Sequence, residues 1–209
     1  MQKPVTNIIF DLGKVLVPFD WEIAFSKLSF HVPREITDLI KNDRALFISL
    51  FSDSLIDLEK GLISFENFFD KLRQTFSLDA PLLEFRKIWC DIFWVNQEVI
   101  ELGRNLSSQY PCWLMSNTSQ AHYEWIIEKF PSVLFYRKAA LSYQLGEMKP
   151  DRQYYVKAID LFGIDPVSAI FIDDIQENLD GAAVLGIRTI LFENVLKLRW
   201  SLKEHGVTL

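Results

Sequence analysis

Cysteine is scarce: the 209 residues contain two, Cys90 and Cys112. Two thiols cannot build a disulfide framework. Each sits beside an aromatic residue (Trp89, Trp113), so both read as small buried hydrophobes in a reducing compartment. No apolar run approaches the ~20 residues that a membrane-spanning helix needs. The first apolar stretch stops at Asp11 without a small-residue cleavage site, so no secretory signal is read and the cytoplasm is the expected location. Positive charge is also short. Lys plus Arg is 22 against 28 for Asp plus Glu, a net charge of -6, which excludes the basic footprint of a general nucleic-acid binder. The three histidines, His31, His122 and His205, fall at no metal-ligand spacing and read as surface or packing residues. Internal repeats and low-complexity tracts are absent.

What is present is an ordinary globular composition, 49% hydrophobic and 24% charged, too apolar for disorder. A chain of this length buries about 70% of the surface its unfolded form exposes, enough for one domain or one domain carrying an insertion.

Hydrophobic periodicity divides the chain. Asn7-Ile8-Ile9-Phe10 reads as a buried strand stopped by Asp11-Leu12-Gly13. From about Asp20 to Asp91 the period is helical, with stripes such as Trp21, Phe25, Leu28 and Phe65, Phe68, Phe69, Leu72. Beyond that block, helices and strands alternate. Strands are predicted at Cys112–Met115, at 133–136 or 139–141, at Ala169–Ile172 and at Arg188–Phe192. The helix after residue 151 takes Asp151 as its cap and Gly163 as its stop, and a C-terminal helix with Trp200 covers the fold. Continuous apolar strands alternating with helices predict an α/β class, a Rossmann-like parallel sheet with helices on both faces. A small α-helical unit is inserted after the first strand. The expected division is 1–18 and 92–209 for the core and 19–91 for the insertion. Eleven of the 17 phenylalanines lie between Phe19 and Phe93, as suits a small helical unit that must build its own core without a sheet. Trp21, Glu22 and Phe25 read first as core stripe, with the wall of a substrate pocket as the alternative.

Three predicted strands end in polar residues: Asp11, then Ser116-Asn117-Thr118, then Asp173-Asp174. Ligands of open α/β sheets bind at that edge. Carboxylates that converge there repel unless a cation joins them, and Asp11, Asp173 and Asp174 suit a hard, oxygen-liganded ion such as magnesium. Lys149, in the Gly146-Glu147-Met148-Lys149-Pro150 turn, adds a second cation. Magnesium with Lys149 would neutralise a phosphate, and the Ser116 hydroxyl would donate to it. An aspartate beside two cations stays ionised and can attack phosphorus, so the chemistry that these residue types suit is phosphoryl transfer through an aspartyl-phosphate.

Four ordered motifs carry a resemblance: Phe10-Asp11-Leu12-Gly13-Lys14-Val15-Leu16, Leu114-Met115-Ser116-Asn117, Lys149-Pro150, and Phe171-Ile172-Asp173-Asp174 with Asn178 and Gly181-Ala182. The chain resembles the haloacid dehalogenase superfamily of aspartate-nucleophile hydrolases. The helical block resembles that family's α-helical cap. Its Glu59-Lys60-Gly61-Leu62-Ile63-Ser64 stretch is similar to the cap segment of small sugar-phosphate phosphatases of the bacterial glucose-1-phosphate phosphatase type. The resemblance implies a magnesium-dependent phosphatase acting on a small phosphorylated metabolite, a sugar phosphate by that likeness. Asp11 would be nucleophile and metal ligand. The backbone carbonyl of Gly13, with Asp173 and Asp174, would complete the metal site. Ser116 and the Asn117 backbone amide would hold phosphate, Lys149 would pair with phosphate and Asp11, and Asn178 would order its loop.

One position departs from the pattern. Many phosphatases of the family carry a second Asp two residues after the nucleophile, as general acid and then base; here that residue is Gly13. A positioned general acid or base is worth about 10²–10⁴ in rate. The expectation is therefore a preference for leaving groups that need little protonation, and the alternative reading is a weak or inactive phosphate- or metal-binding member of the same fold. A dehalogenase is disfavoured because the Asp173-Asp174 pair suits a cation. A phosphomutase is disfavoured because it relies on the missing acid. A response-regulator receiver is disfavoured because it would be shorter and would lack the cap.

Overall fold

A computed structural model describes residues 3–209. Five strands form one parallel sheet: β1 (Asn7–Asp11), β2 (Cys112–Ser116), β3 (Ala139–Leu141), β4 (Ala169–Asp173) and β5 (Arg188–Leu191), in the order β3-β2-β1-β4-β5. β1, β2 and β4 are buried along their whole length, as continuous apolar runs require when helices cover both faces. Of the two candidate positions for the third strand, 139–141 is the strand. Leu114 pairs with Ala139 and Ser116 with Leu141, while Pro131–Val133 closes a single 3-10 turn.

Six helices follow β1 as a block: α1 (Trp21–Leu28), α2 (Arg34–Asn42), α3 (Arg44–Ser49), α4 (Ser52–Glu59), α5 (Phe65–Phe76) and α6 (Leu82–Cys90). The sheet is flanked by α7 (Gln97–Ser107), α8 (Gln120–Lys129), α9 (Ser142–Leu145), α10 (Arg152–Phe162), α11 (Gln176–Ala183) and α12 (Val195–Glu204). In α12, Leu198 and Leu202 face the core while Trp200 stays 65% exposed. Asp151 stands at the start of α10 but its side chain caps nothing; the carboxylate reaches Lys60 at 3.8 Å instead.

The helical block has its own core. Trp89 is fully buried at its centre, with Phe68 at 5.0 Å and Phe85 at 5.5 Å between ring centroids. Phe25, Phe47, Phe51 and Phe76 join the same cluster. Each such aromatic buries about 150–250 Å², so the density of phenylalanine replaces the apolar face that a sheet would have offered. Phe30 is the exception, at 84% exposure. Cys90 and Cys112 are both buried, and burial pushes each thiol up to about 12, which leaves them unreactive.

The two chain passages joining block and sheet run side by side. Asp20 N–H donates to Ile92 O at 3.1 Å, Trp94 N–H to Pro18 O at 3.0 Å and Asn96 N–H to Leu16 O at 2.9 Å. This paired stem sets the helical block over the end of β1. Among the described residues, no helix is long and apolar enough to cross a membrane.

Candidate active site

Asp11 closes β1, Ser116 closes β2 and Asp173 closes β4. These strands are neighbours in the order β2-β1-β4, so their C-terminal ends place the three side chains together. Lys149 enters from the turn after α9 and buries its ammonium among them. Nζ donates to Asp11 Oδ1 at 2.6 Å, to Asp173 Oδ2 at 2.7 Å and to the Met115 carbonyl at 3.3 Å. Burial alone would depress the lysine; Asp11 and Asp173 outweigh it and hold the ammonium above the usual lysine value. Burial likewise pushes Asp11 up to about 7, against the lowering pull of Lys149 and with Asp173 and Asp174 adding to the rise.

Lys149 is aimed through its backbone. Asn117 Nδ2 donates to Lys149 O at 2.8 Å, and Asn117 Oδ1 accepts from Lys149 N–H at 2.8 Å. On the other side α11 packs closely: a Cβ on Gly181 would lie 2.7 Å from Pro150 O, so only glycine allows that approach. The turn after β2 is tied down by Ser142. Its Oγ accepts from Thr118 N–H at 2.9 Å and donates to Thr118 O at 3.0 Å. Neither the Asn117 amide nor Ser142 carries a sequence signal for these tasks, because both act through distant backbone.

The two acids after β4 differ in surroundings. Asp173 is fully buried and both oxygens are engaged. Oδ1 accepts from Ile175 N–H at 2.8 Å, Asn178 Nδ2 donates to both oxygens at 3.1 Å, and Lys149 takes Oδ2. Asn178 thereby orders the loop. Asp174 is half-buried and faces a pocket of about 130 Å³ together with Asp11, Gly13, Lys14, Asn117 and Lys149. Burial, then the charge of Asp173, raises its pKa, and Lys14, with Nζ 3.8 Å away, opposes the rise. Ser116 makes only a long 3.5 Å contact to Asn117 O, so its hydroxyl is free for a ligand. It lines a narrower cavity of about 60 Å³ that shares Gly13, Phe19 and Asn117 with the first.

The donor set fits a hard divalent cation. Asp11 Oδ2 has no hydrogen-bond partner among the described residues, and the Asp174 carboxyl shares its pocket. The Gly13 carbonyl accepts Val15 N–H at 2.6 Å, which leaves one lone pair. Two carboxylates whose pKa values rise through burial and the neighbouring charge of Asp173 are relieved by a cation between them. Among the described residues no three acids, histidines or cysteines surround one point. Magnesium is usually held by one or two carboxylates plus water and substrate phosphate rather than by a full protein cage.

Trp21 lines the narrow cavity, whereas Phe25 belongs to the helical core and the exposed Glu22 pairs with Arg44. Glu59, at the end of α4, also lines that cavity. The resemblance of the Glu59–Ser64 stretch placed it in the cap segment, but nothing in its spacing marked it as a site residue.

A model of the haloacid dehalogenase-like hydrolase family matches residues 6–186. The D-ribitol-5-phosphate phosphatase of Bacteroides thetaiotaomicron is 27% identical over 200 residues, covering 91% of this chain and 93% of its own. A HAD family enzyme of the same organism, solved as a magnesium complex, superposes with a TM-score of 0.77 at 27% identity and covers 91% of this chain and 94% of its own. Its complex with magnesium and inorganic phosphate gives a TM-score of 0.74 at 25% identity over 90% and 94% of the two chains. The family match begins just before β1 and ends past α11, so it spans the inserted helices and every strand that ends in the site. The chain belongs to the haloacid dehalogenase-like hydrolase family.

Proposed function

We propose that this hydrolase is a magnesium-dependent phosphatase that releases phosphate from a small phosphorylated metabolite, of the sugar or polyol class, through a phosphoaspartate on Asp11. The observation that carries the reading is the buried Lys149 ammonium, shared at 2.6 Å and 2.7 Å by Asp11 and Asp173 on the pocket floor. That cation pulls down the pKa of a nucleophilic carboxylate that burial raises, and so favours its ionised form. The D-ribitol-5-phosphate phosphatase supports the substrate class, and the related HAD enzyme solved with magnesium and inorganic phosphate supports the ion and the phosphate site.

The roles follow from what each side chain still has free. Asp11 attacks phosphorus. The Ser116 hydroxyl and the backbone amide of Asn117 donate to phosphate oxygens, and Lys149 balances their charge. Asp174 and Asp11, with the Gly13 carbonyl, hold magnesium, which when bound neutralises phosphate charge as the P–O bond breaks. Asp174 has the accessible oxygens, so we assign it the direct contact. Asp173 supports the ion by fixing Lys149 and the loop that carries Asp174.

The test is hydrolysis of p-nitrophenyl phosphate with and without magnesium, for the wild type and Asp11→Asn, followed by a panel of sugar and polyol phosphates. Magnesium-dependent turnover that vanishes in Asp11→Asn is expected. Turnover that survives the substitution or ignores magnesium overturns the reading, and no turnover at all would favour the non-catalytic binding alternative.

A further inference from the structure

Gly13 leaves the sheet without an acid near the leaving group, and the cap places one opposite. Glu59 is the last residue of α4. The turn that follows is pressed onto the sheet side of the molecule: a Cβ on Gly61, whose φ is +69°, would fall 2.2 Å from Tyr143 O. Only glycine satisfies both the backbone angle and the approach. Lys60 adds a 3.8 Å ion pair to Asp151. The end of α4 is thus anchored to the sheet from both sides of the turn, and Glu59 sits where cap and sheet meet.

There it lines the cavity of about 60 Å³ whose floor is Gly13, Ser116 and Asn117. The remaining wall is largely aromatic and aliphatic, with Phe19, Trp21 and Phe93 nearest the stem. Glu59 makes no hydrogen bond and no ion pair among the described residues. A carboxyl without partners in an apolar cleft favours its neutral form, and burial pushes Glu59 up to about 7. The charged groups around it are engaged elsewhere or neutral. On α4 itself Asp57 pairs with Lys71 of α5. On α3, Arg44 pairs with Glu22. From α9 comes Tyr143, whose phenol burial raises further. Across the cavity, His122 of α8 is held neutral, its pKa lowered by burial to about 4.

We propose that Glu59 is the catalytic acid and base of this enzyme, giving a proton to the departing oxygen and then taking one from the attacking water. The inference rests on the phosphatase reading above. In the first step Asp11 bonds to phosphorus as the bond from phosphorus to the leaving oxygen breaks, and the Glu59 proton moves to that oxygen. In the second step the oxygen of water bonds to phosphorus as the bond to Asp11 breaks. One water proton goes to the Glu59 carboxylate and the other stays on the released phosphate, so both residues return to their starting forms. In-line displacement puts the leaving group on the face of phosphorus away from Asp11. With phosphate on Ser116 and Asn117, that face opens toward the cavity where the cap carries Glu59.

Glu59→Gln keeps shape and removes the transferable proton. With p-nitrophenyl phosphate, whose leaving group needs no proton, the variant is expected to give a rapid burst of one nitrophenolate per enzyme, then steady-state turnover reduced about 10²-fold or more. With ribitol 5-phosphate, single-turnover cleavage itself falls by about 10²-fold or more and no burst occurs. In the wild type, single-turnover cleavage of ribitol 5-phosphate loses rate above about pH 7 while that of p-nitrophenyl phosphate does not; this second measurement needs no variant. The proposal is overturned if Glu59→Gln slows both substrates equally without a burst, if it raises KM and leaves kcat unchanged, or if the two wild-type pH profiles coincide. A wild type with no magnesium-dependent turnover on either substrate would instead sink the phosphatase reading itself.

Discussion

The side-chain amide of Asn117 holds both backbone polar groups of Lys149, donating to its carbonyl and accepting from its N–H at 2.8 Å each. The lysine that neutralises the site is therefore oriented by a residue on a different strand end. Asn117→Asp keeps the acceptor, loses the donor and adds a charge near Asp11. It is expected to lower kcat on p-nitrophenyl phosphate by about 10-fold or more with a smaller change in KM, and to cost about 1–3 kcal/mol of stability from the unsatisfied Lys149 carbonyl. Steady-state kinetics with urea unfolding checks this. An unchanged kcat would show that Lys149 finds its position without the clamp.

His122 belongs to α8 but packs with the helical block. Its ring stacks on Trp89 at 6.2 Å, and Nε2 bonds the Trp89 carbonyl at 3.2 Å; with a carbonyl as partner, Nε2 is the protonated nitrogen. Burial lowers its pKa from 6.5 to about 4. Between those values the unfolded chain binds the extra proton and the folded chain does not, so stability falls as pH drops through that window. One pKa unit is about 1.4 kcal/mol, so the loss attributable to His122 is about 2 kcal/mol at pH 5. Glu59 has the opposite effect, since its raised pKa makes the folded chain the better proton binder between 4.5 and about 7. The prediction is therefore a difference: the stability advantage of wild type over His122→Gln shrinks by about 2 kcal/mol from pH 7.5 to pH 5. Urea midpoints at the two pH values measure it. A constant difference would mean that His122 exchanges protons as freely folded as unfolded.

Magnesium is expected to raise the melting temperature through Asp11 and Asp174. A ligand at 100 times its Kd stabilises by about 2.7 kcal/mol. In EDTA, Asp174→Asn should melt no lower than wild type, because the charge it removes is one that Asp173 opposes. Added magnesium should then fail to shift the variant. A full magnesium shift in Asp174→Asn would move the ion away from the pocket wall.

The parts legible in the sequence are those governed by local pattern. Apolar runs with polar stops gave the strands, and the parallel sheet brought Asp11, Ser116 and Asp173 to one edge, with Lys149 between Asp11 and Asp173. The clustering of phenylalanine anticipated the aromatic cluster of the helical block, which has Trp89 at its centre and takes in Ala121 and His122 of α8. What local pattern does not carry is docking. Trp21 and Phe25 are one helical turn apart on the same stripe, yet only Trp21 reaches the cleft, because the stem sets the pitch of α1 over the sheet. Asp151 has the residue type of a cap, but Lys60 draws its carboxylate away. Glu59 and the Asn117 amide owe their places to contacts across more than 30 residues of sequence.

Gly13 stands where the family resemblance led to the expectation of a second aspartate, and its surroundings predict what placing one there would do. The backbone there is not left-handed, so a side chain is not excluded by conformation. Space is the constraint. A Cβ on Gly13 would sit 3.3 Å from Phe19 Cε1 and 3.6 Å from Asp11 Oδ2. Phe19 cannot easily give way, because its ring is held edge-on by Trp21 at 6.1 Å and Phe93 at 5.9 Å. The new carboxylate would also add like charge beside Asp11. Gly13→Asp alone should lower stability by about 1–3 kcal/mol and leave turnover of ribitol 5-phosphate no higher than wild type. Phe19→Ala opens the space at a cost of its own, below the about 3–5 kcal/mol of a fully buried phenylalanine because Phe19 is half-buried. Combining the two should cost less than the sum of the parts, with a coupling of about 0.5–3 kcal/mol. Urea unfolding of the four proteins in the cycle reads that coupling directly. If the two costs simply add, Phe19 is not what keeps an aspartate out, and the glycine has to be explained by charge at Asp11 alone.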